Sequence, residues 1–136
     1  MLAMHRVLLI ILVAIGLVGC QPSPTADQAT PSKAQFVFVR IPEQIQPVER
    51  GAKYEDPLDV VLKKERVGEV SGGGTQLSAP DADGKKSIEW VGVDVDLTDF
   101  DKGMPILKRE LLRLGAPAAT VLEYRRDGKK VEEKLR

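Results

Sequence analysis

The stretch KSIEWVGVDVDL, residues 86–97, has the clearest strand pattern in the chain. Aliphatic residues occupy every second position from residue 91 to residue 97, and a period of two places them on one face of a strand. We expect that face to meet a hydrophobic core. The opposite face then carries Trp90, Gly92, Asp94 and Asp96.

Two further strands are predicted upstream of this segment. The stretch VGEVSGGGTQL, residues 67–77, predicts a strand with a run of glycines. Residues 79–85 are rich in Pro, Asp and Gly, so we expect them to form the turn of a hairpin. The stretch QFVFVRI, residues 35–41, is strongly β-prone and ends before Pro42, which predicts a central strand.

Two helices are predicted from caps and periodicity. Asp56 offers an N-cap with Pro57 in the first helical position, which predicts a short helix over residues 57–65. From Phe100 to Leu114, apolar residues recur at alternating intervals of four and three residues. This spacing predicts an amphipathic helix capped by Asp99 or Asp101. Residues 42–55 are expected to form an irregular connector, either functional or only cover for the core.

The end of the chain completes the order of elements. Residues 119–126 predict a strand, Asp127-Gly128 a turn, and residues 129–135 a charged strand suited to a sheet edge. The order strand, helix, strand, strand, helix, strand resembles the ferredoxin-like split βαβ sandwich, with one strand added by a C-terminal hairpin. This resemblance implies an α+β domain with two helices on one face of an antiparallel sheet.

The composition allows one globular domain. The chain has 136 residues, of which 43% are hydrophobic and 29% charged, as in ordinary foldable proteins. Twenty basic residues balance twenty acidic ones, so the chain has no net positive charge that would attract nucleic acid. We therefore expect no nucleic-acid partner.

The amino terminus has the pattern of an export signal. A short positive segment ending at Arg6 precedes an uncharged apolar run over residues 7–19. Such a run is shorter than the roughly 18 residues that a spanning helix needs, which favours a cleaved signal peptide over residues 1–19. The alternative is a buried hydrophobic helix.

The end of the apolar run, Leu17-Val18-Gly19-Cys20, resembles the lipobox of bacterial lipoproteins. The resemblance implies that Cys20 receives a lipid and becomes the first residue of a mature protein anchored in a membrane of the bacterial cell envelope. Gln21, rather than Asp, implies sorting to the outer membrane where the host has one. The alternative is an ordinary secretory signal in which the cysteine is incidental.

The residues after the cysteine predict a tether. Residues 21–33, QPSPTADQATPSK, hold almost no large apolar side chain and cannot offset the entropy of ordering, so we expect a disordered linker. The folded domain is then expected over residues 34–136, behind a lipidated Cys20 and its linker at 20–33.

Four carboxylates are candidates for a metal site. Carboxylate oxygens are ligands for hard cations such as calcium. The alternative is a solvated strand face followed by helix-capping aspartates. The four candidates are Asp94, Asp96, Asp99 and Asp101.

Trp90 and the glycine run are the other candidates. Trp90 is expected either to anchor a partner on an open sheet face or to pack beneath the connector. The run Ser71–Thr75 lacks the lysine of a phosphate-binding loop, so it predicts a bulged strand or a place where a helix or ligand approaches closely.

The absent residue types narrow the function. The single histidine, His5, lies in the predicted signal peptide, and the single cysteine, Cys20, is predicted to be acylated. Zinc sites, Cys/His pairs and Ser/His/Asp triads would then be lacking, so we expect a protein that is not an enzyme and binds no cofactor.

Two hypotheses follow for this envelope protein. The first is a non-catalytic interaction domain that binds an envelope protein through Trp90, the open sheet face or the connector at 42–55. The second is a small-ligand or metal-ion sensor built on the aspartate group. Stabilisation of the domain by the ligand or ion would support this hypothesis.

Overall fold

The computed structural model of the chain describes residues 33–136. The predicted signal peptide, Cys20 and the tether up to residue 32 lie outside the described residues. None of the helices within residues 33–136 has the length and apolar character that crossing a membrane requires.

Strands and helices follow one another in the predicted order. The strands are β1 (Gln35–Ile41), β2 (Gly68–Leu77), β3 (Ile88–Leu97), β4 (Val121–Arg126) and β5 (Lys129–Lys134). A first helical segment joins β1 to β2 and consists of α1 (Pro47–Arg50), a π-helical turn (Gly51–Glu55) and α2 (Asp56–Lys64). The second helical segment, α3 (Phe100–Arg113), joins β3 to β4.

The five strands form one antiparallel sheet in the order β2-β3-β1-β4-β5. The predicted central position of β1 is confirmed, and so is the edge position of β5. The register pairs Val37 of β1 with Val95 of β3 on one side and with Tyr124 of β4 on the other. The described part of the chain is therefore an α+β domain built on an antiparallel sheet.

The core lies between one face of this sheet and the helices. Alternate residues of β1 and β3 are buried there, among them Val39 and Val93, as the period of two predicts. Leu58 of α2 and Leu107 of α3 are also fully buried, and the two helices contact each other. Burial of each such side chain contributes about 1.5–3 kcal/mol to folding, so both helices are held to the same face.

The prediction of an irregular connector over residues 42–55 was wrong in its second half. Residues from Pro47 onward are helical, and Asp56 lies inside the helical segment with φ −61° and ψ −49° rather than capping it. The segment starts earlier because the Glu49 carboxylate accepts a hydrogen bond of 2.8 Å from the Gln46 backbone N–H, and Pro47 suits a first helical position.

The π-helical turn explains how the helix passes through Pro57. A proline in a helix lacks an N–H and clashes with the carbonyl four residues earlier. Here the Asp56 N–H bonds to the Gly51 carbonyl five residues back, so the backbone is wider immediately before the proline. The same turn directs Tyr54 fully into the core.

The predicted cap of α3, its end at Gly115 and the turn at Asp127-Gly128 are confirmed, whereas β3 and β4 each begin two residues later than predicted. Asp99 caps α3, and its carboxylate accepts a hydrogen bond of 3.1 Å from the Lys102 backbone N–H. The helix ends before Gly115, which has a φ of +79°. Asp127 and Gly128 both have positive φ, as a two-residue hairpin turn between β4 and β5 requires.

An ion pair holds the first helical segment against β2. The Arg50 Nε lies 2.6 Å from Glu55 Oε1, and the Arg50 Nη1 donates to the Gly74 carbonyl at 2.8 Å. Gly73 leaves the space for this pair, since a Cβ there would lie 3.0 Å from Arg50 Nε and 2.6 Å from the Gly92 carbonyl oxygen. The glycine run thus allows close approach of a helix, and the shift of register at Gly72 adds the predicted bulge.

Gly73→Ala is expected to lower the free energy of unfolding by about 1–3 kcal/mol, because the added methyl group overpacks the Arg50–Glu55 pair. Gly74→Ala is the matched control, since nothing lies within 4 Å of its Cβ position. Urea denaturation of both variants checks this. Equal destabilisation of the two variants would contradict the assigned role of Gly73.

Candidate functional site

The sheet face opposite the helices carries large side chains with no helix of the described chain packed on them. We call it the open face and define it by the side chains that alternate with the core positions. These are Glu69, Gly72, Gly74 and Gln76 of β2, Trp90, Gly92, Asp94 and Asp96 of β3, Phe36, Phe38 and Arg40 of β1, Val121, Glu123 and Arg125 of β4, and Lys130, Glu132 and Lys134 of β5.

Three aromatic residues lie on the open face. Phe38 and Trp90 meet edge to face, with ring centroids 5.8 Å apart and an interplanar angle of 72°. Gly92 makes this contact possible, because a Cβ there would lie 2.5 Å from Phe38 Cζ. Phe36 follows on the same face of β1 and is 50% exposed. Phe38 and Trp90 are half-buried, so Phe36 is the exposed member of the three. Exposed aromatic side chains are a feature of binding surfaces.

Charges divide to the two sides of the aromatic residues. Glu69 and Asp96 pair across β2 and β3, and Asp96 is opposite Phe36. On the other side the pairing of Val37 with Tyr124 places Phe36 beside Arg125, which is opposite Lys130. The open face is therefore acidic along β2 and β3. Along β4 and β5 basic residues lie beside Phe36, and Glu123 and Glu132 follow them on the same face.

The basic side is ordered by ion pairs around Glu123. This carboxylate lies 3.2 Å from Arg40 Nε and 2.8 Å from Lys130 Nζ. Lys130 donates hydrogen bonds to Glu123 and Glu132, and these bonds raise the pKa of Lys130, the one to Glu123 most. The hydrogen bond from Lys130 lowers the pKa of Glu132. Arg125 makes a hydrogen bond of 3.1 Å to the Gly128 carbonyl and is otherwise directed to the surface.

A groove of about 560 Å³ opens beside Phe36 on this basic side. The two phenylalanines of β1 and charged residues of β4 and β5 line it. The lining includes Gln35, Phe36, Phe38, Glu123, Arg125 and Lys130. The groove thus combines aromatic side chains with the charged side chains of Glu123, Arg125 and Lys130.

The four candidate metal ligands do not form one site. Asp94 and Asp96 lie on the open face of β3, Asp99 caps α3, and Asp101 is exposed in its first turn. The Lys102 backbone N–H donates a hydrogen bond to the Asp99 carboxylate, and this bond lowers the pKa of Asp99. Across residues 33–136, no three His, Cys, Asp or Glu side chains come together as metal ligands.

Trp90 lies on the open face, away from the helical half of the connector. Its partner there is Phe38, whereas the helical half of the connector packs on the core face, where Tyr54 is buried. Sequence reasoning did not single out Phe36 and Phe38. The alternating FVFV of β1 is apolar at every position, so periodicity could not say which set faces the core; only the pairing of Val37 with Val95 decides it.

No family model matches the chain, and no curated protein matches it. Among solved structures the chain is similar to a phage SAM lyase in complex with S-methyl-5'-thioadenosine. The identity is 9%, the TM-score is 0.42, and the similarity covers 76% of this chain and 91% of the lyase. A likeness this low carries no argument about fold or chemistry.

Gly92→Ala is expected to displace the Phe38 ring and thereby change the fluorescence of Trp90, the single tryptophan of the chain. We expect a shifted emission maximum together with a loss of about 1–3 kcal/mol in the free energy of unfolding from overpacking. Gly74→Ala, directly across the β2–β3 ladder, serves as control. An unchanged emission spectrum in Gly92→Ala would contradict the described packing.

Proposed function

We propose that the chain is a bacterial lipoprotein that presents a small, non-catalytic binding domain in the cell envelope, with the open face as its binding surface. The observation that carries this proposal is the aromatic group of Phe36, Phe38 and Trp90 on a sheet face that no described helix covers. Aromatic residues are enriched among the few residues that dominate binding energy at interfaces. An envelope protein is the partner that this location would offer.

Membrane attachment through Cys20 is supported by the sequence. The apolar run and the box Leu17-Val18-Gly19-Cys20 agree in position and type with a lipoprotein signal. Acyl chains contribute about 0.8 kcal/mol for each buried methylene, so attachment would not require the domain surface to bind lipid. Gln21 favours the outer membrane as the destination.

The proposed fold type is the ferredoxin-like split βαβ sandwich. Its support is the order β2-β3-β1-β4, with two helical segments on one face, to which β5 adds an edge strand. The non-catalytic character is supported by the residues after Cys20, which include no histidine and no cysteine. No observation in the described residues favours the alternative of a metal-ion sensor.

Replacement of Cys20 tests the anchor. In cells supplied with an alkyne-labelled fatty acid, the native chain is expected to carry the label and sediment with membranes. Cys20→Ala is expected to lose the label entirely and to accumulate as the unprocessed precursor. A native chain without label, or a labelled Cys20→Ala chain, would contradict the proposal.

Trp90→Ala tests the binding face. The variant is expected to fold and to lose at least ten-fold in the yield of its partner after chemical crosslinking in the bacterium. Val60→Ser is the matched control, because Val60 is 65% exposed but lies on α2, away from the open face. Far-UV circular dichroism checks folding. A folded Trp90→Ala protein with undiminished partner yield would contradict the proposal.

A further inference from the structure

The turn between β4 and β5 concentrates positive charge, although the chain as a whole has no net charge. Residues 125–130, RRDGKK, hold four bases and one acid, and all six are exposed. Lys33 is also exposed and lines the groove together with Arg125 and Lys130. We call these five bases the basic tip: Lys33, Arg125, Arg126, Lys129 and Lys130.

The charges of the basic tip oppose the pairing of its two strands. The register sets Arg125 opposite Lys130, and Arg126 opposite Lys129. Like charges directly opposite one another weaken an antiparallel pair. Charged side chains on β5 would protect a sheet edge, but β4 is paired on both of its sides. Protection of the edge therefore does not explain the two arginines of β4.

Most of this charge is not neutralised within the described chain. Lys130 is the exception, since its Nζ lies 2.8 Å from Glu123 and 2.7 Å from Glu132. The ion pairs within residues 33–136 include neither arginine of the turn and not Lys129. An anionic partner would relieve the repulsion that the fold leaves in place.

The basic tip lies at the end of the sheet that the chain enters from Cys20. Gln35, the first residue of β1, donates a hydrogen bond of 2.7 Å to the Arg125 carbonyl. Residues 20–32 separate Lys33 from the rest of the predicted signal peptide. A flexible coil of that length spans about 20 Å on average, so an anchor at Cys20 would keep the basic tip near the membrane.

We propose that the basic tip binds the anionic phospholipid headgroups of the membrane in which Cys20 is anchored. The inference rests on the proposed acylation of Cys20 and adds a second contact, which sets how the domain stands on the membrane. Phosphate groups at an anionic membrane surface attract lysine and arginine side chains within a Debye length, about 10 Å at 0.1 M salt. Phe36 is 50% exposed beside Arg125 and adds an aromatic group suited to the headgroup layer.

This orientation leaves Trp90 accessible to an envelope protein. Gln35 pairs with Leu97 at the membrane end of the sheet, and Trp90 lies seven residues further along β3. At about 3.4 Å per residue, Trp90 is roughly 24 Å further from the headgroups than Leu97. Lipid and protein partner therefore contact opposite ends of the sheet.

Lysine labelling of the full-length chain in vesicles tests the inference. The chain would be reconstituted into phosphatidylcholine vesicles with and without phosphatidylglycerol, then treated with a water-soluble amine-reactive reagent and analysed by mass spectrometry. Labelling of Lys33 and Lys129 is expected to be about ten-fold slower in the anionic vesicles, and to recover at about 0.5 M salt because screening weakens the attraction. Lys85 and Lys86, exposed in the turn between β2 and β3 at the opposite end of the sheet, are expected to label equally in both.

A charge-balanced variant separates lipid binding from folding. Arg125→Glu with Lys129→Glu leaves one acid and one base in each cross-strand pair. Its unfolding temperature is expected to equal or exceed that of the native chain, whereas Lys33 is expected to lose its protection in anionic vesicles. Lys85→Glu with Lys86→Glu makes the same change of net charge at the opposite turn and is expected to keep that protection.

Equal labelling of the basic tip in neutral and anionic vesicles would overturn the inference while leaving the anchor intact. Protection that persists in the charge-balanced variant or at high salt would also overturn it. A lower unfolding temperature of that variant would show that these charges serve the fold instead. A native chain that stays with neither kind of vesicle would overturn the anchor and the inference together.

Discussion

β1 lies in the middle of the sheet and carries large apolar side chains on both of its faces. Val37, Val39 and Ile41 are buried beneath the two helical segments, whereas Phe36 and Phe38 lie on the face that no described helix covers. A domain of two layers can cover one face of its sheet only. The open aromatic face is therefore a direct result of how this strand is packed, and the proposed binding surface depends on it.

Two glycines on neighbouring strands allow close packing on opposite faces of the sheet. Gly73 admits the Arg50–Glu55 pair on the helix side, and Gly92 admits the Phe38 ring on the open side. In each case a side chain from a neighbouring helix or strand fills the space that a side chain at the glycine position would take. The nearby Gly74 has no such neighbour, so the run of glycines as a sequence pattern does not reveal which of its members is needed.

Much of the fold could be predicted because local signals and tertiary packing agree. The alternation of apolar and polar residues in β3 predicted which of its side chains face the core. Asp99 and Gly115 predicted where α3 begins and ends. The helical half of the connector was missed because Gly51 and the two prolines of the whole connector, Pro42 and Pro47, lower local helix propensity. Its stabilising contacts are distant in sequence, such as the hydrogen bond from Arg50 to β2. The aromatic residues of β1 were missed for a different reason, since an apolar residue at every position leaves the choice of face to strand pairing.

Hydroxyl-radical footprinting of the three aromatic residues would test the central claim most directly. The full-length chain would be oxidised first in intact membranes and then after purification and dilution in detergent, with modification at Phe36, Phe38 and Trp90 quantified by mass spectrometry. The account predicts strong protection of Phe36 and Trp90 in the membrane and full reactivity after dilution. Equal modification under both conditions would show that nothing occupies the open face and would contradict the account.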